Sequence, residues 1–193
     1  MPDYHHIIGL TGYAGAGKTT VAGHLTAAHD FVEAAFADTL KDMLALMLGA
    51  LDIDYAHLTE PHLKAKTIPQ IGCSARHLMQ TLGTEWGRRM IARDLWTRAT
   101  AHRLGLHDLP RSAPVHDRIV ITDVRFPDEA DWLHRVGGIL VRVHRPGLQH
   151  PMGHESEAHI AAMRPQHVIL NDGSLASLRD QVDNLMHTLE AAA

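Results

Sequence analysis

The sequence predicts an α/β fold of three layers, with about five parallel strands wrapped on both faces by helices. Two observations carry that expectation. Short, β-branched apolar runs alternate along the chain with longer stretches of helical periodicity, the pattern of a parallel sheet joined by helical crossovers. The runs themselves, such as Arg118-Ile119-Val120-Ile121-Thr122-Asp123, are continuously apolar, as strands buried on both faces must be. A length of 193 residues suits a single domain with a sizeable core.

Taken in order, Ile7-Ile8-Gly9-Leu10 is a strand entering a Gly-rich turn, and Val21, Ala22 and Leu25 mark a helix from Lys18 to about His29. Phe31 to Phe36 reads as the second strand. Asp38 is placed to cap a helix from Thr39 to about Leu48, with Leu40, Met43, Leu44 and Met47 as its apolar face and Gly49 ending it. Ala56 to Gly72, which holds Pro61 and Pro69, is an irregular connection with short helical pieces. A long helix is expected from Ala75 to about Ala92 and another from Asp94 to about Leu104. Arg118 to Asp123, Ile139 to His144 and Val168-Ile169-Leu170 are the remaining strands, and helices follow from Pro127 to Val136 and from Ser174 to Leu189. Pro146 to Glu157, rich in Pro, Gly and His, breaks the alternation and is the candidate mobile lid.

Composition excludes several functions. With 45% hydrophobic and 21% charged residues the chain is globular rather than disordered. A formal charge of -4 gives no general attraction to nucleic acid or to an anionic membrane. No apolar run approaches the ~18 residues of a membrane span, and Met1-Pro2-Asp3-Tyr4-His5-His6 does not resemble an export leader. The single cysteine, Cys73, forms no internal disulfide and has no nucleophile signature, which fits a cytoplasmic location.

Gly12-Tyr13-Ala14-Gly15-Ala16-Gly17-Lys18-Thr19 matches G-x-x-x-x-G-K-[ST] at every fixed position, between an expected strand and an expected helix. The glycines let the backbone curl so that successive N–H groups point at phosphate oxygens, and the helix start adds its positive dipole end. Lys18 is expected to reach the β- and γ-phosphates, and Thr19 offers a hydroxyl to Mg²⁺ bound between them. Gly12, Ala14, Gly15, Ala16, Gly17, Lys18, Thr19 and Thr20 are thus the expected ATP-binding residues of a P-loop NTPase-type fold. The loop by itself does not separate kinases, ATPases and GTP switches.

Arg76, Gln80, Thr84 and Arg88 recur every four residues as a polar stripe on the long expected helix, while Met79, Leu82, Trp86 and Met90 form another, apolar face. A solvated stripe explains such a pattern without any function. Gly83 and Gly87, each costing a helix about 1 kcal/mol relative to Ala, point instead to the close approach of a ligand or another backbone. Asp123 ends a buried strand at the edge where open α/β sheets bind ligands, and Arg125 follows it into the cleft. Asp128 and Glu129 fit the first turn of a helix begun by Pro127 as well as they fit a site.

These segments together resemble the bacteriophage-type deoxynucleoside monophosphate kinases. The resemblance runs through the phosphate loop, Phe36-Ala37-Asp38-Thr39-Leu40-Lys41, Arg76 to Trp96, Asp123 to Glu129, Val141 to Pro146, His154-Glu155-Ser156-Glu157 and Asn171-Asp172-Gly173. It implies one kinase domain over 1–193, with a helical acceptor-binding region at 37–115 and a lid-like segment at 145–160. It also implies transfer of the γ-phosphoryl group of ATP, with Mg²⁺, to a dNMP, in the host cytoplasm if the chain is phage-encoded. Lys41, Arg76, Gly83, Thr84, Glu85, Trp96, Asp123, Arg125 and Glu129 would line the acceptor site, with Gln80 and Arg88 of the stripe and Ser156 of the lid. Trp96 would wall the base or sugar, although a lone Trp at helical spacing is ordinarily core. Asn171 would border the adenine, although Asn171-Asp172-Gly173 with Ser174 as a cap is also a plain strand-to-helix turn.

In that reading Lys18, Arg76, Asp123, Arg125 and Arg145 form the catalytic set, and Thr19 and Asp123 are the metal ligands. Arg142, alternating with Val141 and Val143, reads as structural. A dephospho-coenzyme A kinase is the nearest alternative, and a nucleotide-dependent switch or assembly ATPase is the alternative of another class. No nucleic-acid or membrane partner is expected, and a homodimer stays open. Mechanism by charge neutralisation needs no imidazole, so the 17 histidines read chiefly as surface residues. His150 and His154 have helix-ligand spacing, but Pro151 and Gly153 lie between them and argue against a zinc site there.

Overall fold

A computed structural model of the protein describes residues 7–107, 114–148 and 155–191, with the backbone only at 155–157. The elements run β1 (Ile7–Thr11), α1 (Lys18–His29), β2 (Val32–Ala34), α2 (Asp38–Gly49), α3 (Ala56–Thr59), α4 (Pro61–Lys64), β3 (Thr67–Ile68) and β4 (Cys73–Ser74). They continue with α5 (Ala75–Gln80), a π-helix (Thr81–Ile91), α6 (Leu95–Arg103), β5 (Ile119–Ile121) and α7 (Pro127–Arg135). Last come β6 (Ile139–His144), α8 (Glu155–Ala162), β7 (His167–Leu170) and α9 (Leu175–Ala191). The chain divides into two compact units, one of residues 1–35 and 104–193, the other of residues 36–103.

In the first unit a five-stranded sheet has the order β2-β5-β1-β6-β7, and every pairing is parallel. Ile8 of β1 stands opposite Val120 of β5 and Ile139 of β6, which fixes the central register. Side chains alternate across the sheet. Ile8 and Leu10 therefore join Val21, Leu25, Val182 and Met186 in a core under α1 and α9. Gly9 faces the other way, and a Cβ there would lie 2.4 Å from Cδ2 of Leu133 on α7. The lack of a side chain at Gly9 is what lets α7 press onto the central strand. Full burial of each of these Leu and Ile side chains contributes roughly 1.5–3 kcal/mol, the largest favourable term in the unit.

Side chains also finish the ends of the elements. Ser174 accepts a hydrogen bond from Ser177 N–H at 3.1 Å, the cap expected for the last helix. Gln181 brackets the edge strand, accepting from Leu170 N–H and donating to Leu170 C=O, both at 2.8 Å. Arg142 donates through Nη2 to the carbonyls of Ile160 at 2.8 Å and Met163 at 2.6 Å, satisfying the end of α8 and confirming its structural reading. His24 in the middle of α1 and His29 at its end both donate Nε2–H to one oxygen of Asp183 on α9, at 2.7 Å each. Those bonds, that of His29 first, hold the Asp183 carboxyl below its ordinary value. No helix of the described residues is long and apolar enough to cross a membrane.

In the second unit α2 buries Leu40, Leu44 and Leu48, one per turn. Met43 and Met47, expected on the same face, are 39% and 41% exposed and only flank it. Asp38 is the first residue of α2 rather than its cap, which is Ala37. Within the irregular connection, Thr67 pairs with Ser74 and Ile68 with Cys73 in a short antiparallel ribbon that hydrophobic patterning over so few residues does not announce.

The largest departure from expectation is the long helix. It is α-helical only to Gln80 and then widens, so that Ala92 N–H bonds the carbonyl of Gly87, five residues back, at 2.9 Å. The inward face shifts accordingly. Met90, expected on the apolar face, is 74% exposed, while Thr84 and Gly87 are buried. Trp96 of α6 and Leu40 of α2 explain the glycines. A Cβ at Gly87 would sit 2.5 Å from the indole, and one at Gly83 would sit 2.9 Å from Cδ1 of Leu40. Close approach is real at both positions, and packed side chains of the same unit make it rather than a ligand.

Candidate active site

The phosphate loop spans the turn from β1 to α1 at the carboxyl edge of the sheet. Its glycines are obligatory for identifiable reasons. Gly12 has φ +141°, and a Cβ there would be 2.4 Å from the carbonyl oxygen of Val143. Gly17 has φ +106°, and a Cβ there would be 2.6 Å from Nδ2 of Asn171. Gly17 caps α1 without a side-chain hydrogen bond, and the N–H groups of Gly15, Gly17 and Thr19 have no acceptor among the described residues. A helix N-terminus with open amides is an anion site by construction. Ala16 is buried and Ala14 exposed, so within the loop one side chain anchors and the other faces out. The Lys18 ammonium donates to the carbonyls of Gly12 and Tyr13, the latter at 3.0 Å, which keeps a positive charge on the loop itself. Thr19 and Thr20 are exposed at the start of α1.

Asn171 is the residue whose role the sequence did not disclose. Its Nδ2–H donates to the Ala16 carbonyl at 2.9 Å, and its backbone N–H donates to His144 at 2.7 Å. The side chain thus ties the centre of the phosphate loop to the end of β7. No local spacing signals a contact between residues 155 positions apart. Asn171 also lines a small pocket with Arg145, Pro146, Asp172 and Gly173. Arg145 is exposed there and makes no ion pair among the described residues.

Asp123 and Arg125 follow β5, the neighbour of β1, so they leave the same edge of the sheet as the loop. Val124 N–H bonds the Leu10 carbonyl at 3.1 Å and holds this segment against β1. Glu129 is only 4% exposed, and its Oε2 accepts from the backbone N–H groups of Arg125 at 2.7 Å and Phe126 at 3.0 Å. This reciprocal cap, with Pro127 in the first turn, makes Glu129 a positioning residue: it shapes the backbone that presents Arg125. Arg125 itself is exposed, and its guanidinium has no partner among the described residues. The side chain of Ser156, like His150 and His154, lies outside the described residues.

In the second unit, Arg76 is exposed on α5 with no hydrogen bond or ion pair among the described residues. Gln80 is half-buried, Thr84 buried and Glu85 exposed. The switch from α- to π-helix bears on their alignment. Four residues overshoot one α-helical turn of 3.6 residues but fall short of a π-helical turn, so the drifts along Arg76, Gln80, Thr84 and Arg88 oppose one another. Arg88 donates to the Arg93 carbonyl at 3.0 Å, and Lys41 pairs with Asp38 at 3.3 Å, so both cations are partly engaged by the fold. Trp96 is 5% exposed and donates its indole N–H to the Gly83 carbonyl at 2.8 Å. It is thus buried and hydrogen-bonded inside the unit, the ordinary core placement of a lone Trp. Gly83 is half-buried and packs against Leu40.

A family model described as deoxynucleotide monophosphate kinase matches residues 51–182. A protein of Acanthamoeba polyphaga mimivirus, provisionally named a deoxynucleotide monophosphate kinase, is 32% identical over 182 residues, or 91% of this chain and 93% of that protein. The deoxynucleotide monophosphate kinase of Enterobacteria phage T4 is 31% identical over 116 residues, which are 60% of this chain and 46% of the phage protein. Among solved structures, TT1252 from Thermus thermophilus overlays with a TM-score of 0.48 at 19% identity, covering 95% of this chain and 97% of the other. The family match begins beyond the phosphate loop and so is independent of the motif that all P-loop proteins share. On that match and the mimiviral relative together, this chain belongs to the deoxynucleotide monophosphate kinase family.

Proposed function

We propose that the protein transfers the γ-phosphoryl group of ATP to a deoxynucleoside monophosphate, giving ADP and the diphosphate, and so supplies precursors for DNA synthesis in the cytoplasm. The observation that carries this reading is the family match over residues 51–182, because it covers the acceptor segments and not the generic loop. The open amides of Gly15, Gly17 and Thr19 take the phosphates of ATP, and the pocket at Arg145, Asn171, Asp172 and Gly173 takes its adenosine end. Arg76, exposed and unpaired among the described residues, takes the dNMP phosphate, an anion that Arg binds in a fixed, bidentate geometry, and Arg125, likewise exposed and unpaired in its own unit, is suited to a phosphate at the carboxyl edge of the sheet. Gln80, Thr84, Glu85 and Arg88 complete the acceptor surface with Lys41.

A hydroxyl and a carboxylate are the hard oxygen donors that Mg²⁺ requires, and Thr19 and Asp123, at the carboxyl edge of neighbouring strands, fit that demand. Bound there, the ion supplies neutralisation of phosphate charge. Lys18 adds a second positive charge where the transferred group loses its bond to ADP. The attacking oxygen of the acceptor is already anionic, so the reaction needs alignment rather than a strong base. Arg145, next to the lid-like segment, closes over the phosphates and helps exclude water.

The test is ADP release from ATP in the presence of each dNMP, each ribonucleotide monophosphate and dephospho-coenzyme A. Turnover with one or more dNMPs is expected. Turnover of dephospho-coenzyme A alone would overturn the reading, and acceptor-independent hydrolysis stimulated by a protein or DNA would point to a switch ATPase.

A further inference from the structure

We propose that His24, His29 and Asp183 form a binding site for a divalent transition metal of which Zn²⁺ is the best match, joining the C-terminal half of α1 to α9. Two imidazole nitrogens and one carboxylate oxygen are a zinc donor set, with a fourth position left for water. The donor atoms already converge. Nε2 of His24 and Nε2 of His29 each lie 2.7 Å from the same Oδ1 of Asp183, and all three atoms fall within 4.8 Å of one another.

Bonds of about 2.0 Å at tetrahedral angles separate donors by about 3.3 Å, so each contact has to open by roughly half an ångström. The two rings are 16% and 17% exposed and stand edge to face, which restricts them, whereas Asp183 is 40% exposed and leaves a path from solvent. Without metal the carboxylate only accepts, so both Nε2 atoms carry the proton. Metal binding moves each proton to Nδ1, exposing the Nε2 lone pair with no net loss of charge. Arg118 bonds the His29 carbonyl at 3.1 Å and is itself paired with Glu190 at 3.1 Å.

The site is separate from the proposed chemistry. Helix α1 begins in the phosphate loop at Lys18, and His24 and His29 lie six and eleven residues further along it, a rise of about 9 and 16 Å. A metal here is a structural clamp on α1. Sequence did not reveal it, since His24 and His29 are five residues apart in α1 and Asp183 is remote.

The experiment titrates the full chain, stripped with a chelator and free of nucleotide, with Zn²⁺ by calorimetry in excess Mg²⁺, and follows the thermal midpoint. One saturable equivalent and a midpoint that rises with zinc are expected. His24→Ala and Asp183→Asn should each weaken binding at least about tenfold, while His62→Ala, at an exposed histidine of the other unit, should not. Co²⁺ added to the unmodified protein should give the visible absorption of a four- or five-coordinate site, a readout that requires no variant to fold. Binding without a saturable equivalent, variants that bind as the parent does, or a cobalt spectrum equal to that of the hydrated ion would overturn the proposal and leave a hydrogen-bonded His-Asp-His contact.

Discussion

The phosphate loop and the π-helix are both backbone departures from regular structure, and glycines shape both, but to different ends. In the loop, Gly12 and Gly17 adopt φ of +141° and +106°, and the departure leaves amide N–H groups open toward solvent. In the π-helix, Gly83 and Gly87 keep helical conformation, and their missing side chains make room for Leu40 and Trp96. One set of glycines prepares a surface for a ligand; the other completes a core. A costly glycine reports close approach, and only the identity of what approaches distinguishes function from packing.

Three substitutions sharpen or break that contrast. Lys18→Ala should have the largest effect, lowering kcat by at least about 10³-fold in an ADP-release assay, because the group that offsets charge on the transferred phosphoryl is lost. Circular dichroism should be unchanged, and near-normal turnover would contradict the assignment. Arg76→Ala should lower kcat/KM for the dNMP by about 10- to 100-fold, roughly 1.4–2.7 kcal/mol, at unchanged KM for ATP and with stability within about 0.5 kcal/mol. An equal loss in KM for ATP would remove Arg76 from the acceptor. Trp96→Phe should have the smallest kinetic effect, within about twofold, and should cost about 1–2 kcal/mol in urea unfolding by leaving the Gly83 carbonyl without its donor. A tenfold rise in KM at full stability would instead put the indole against the nucleotide.

Much of this molecule was legible in advance where the signal is local. The strand at Ile139–His144 and the helix at Lys18–His29 appear with the expected bounds, and the phosphate loop occupies the expected turn. Such signals depend on near neighbours, where apolar periodicity and glycine conformation are direct consequences of residue type. The acceptor stripe was less legible. Its spacing assumed 3.6 residues per turn, and the register changes in the π-helix, where Trp96 rests on Gly87 and donates its indole N–H to the Gly83 carbonyl. Glu129 could be a cap or a ligand by sequence, and only the fold shows that it makes the cap, buried onto two backbone N–H groups.

By itself, then, the sequence determined the α/β class, the phosphate loop and the family segments, since each is written in short runs whose chemistry does not depend on distant parts of the chain. Tertiary structure alone decided that Asn171 clamps the loop, that Trp96 is core, and that two of the 17 histidines meet Asp183. Each of these is a contact between residues far apart in the chain or across a changed helical register. The free energy that selects such contacts comes from packing and from satisfying buried polar groups, which no local pattern encodes.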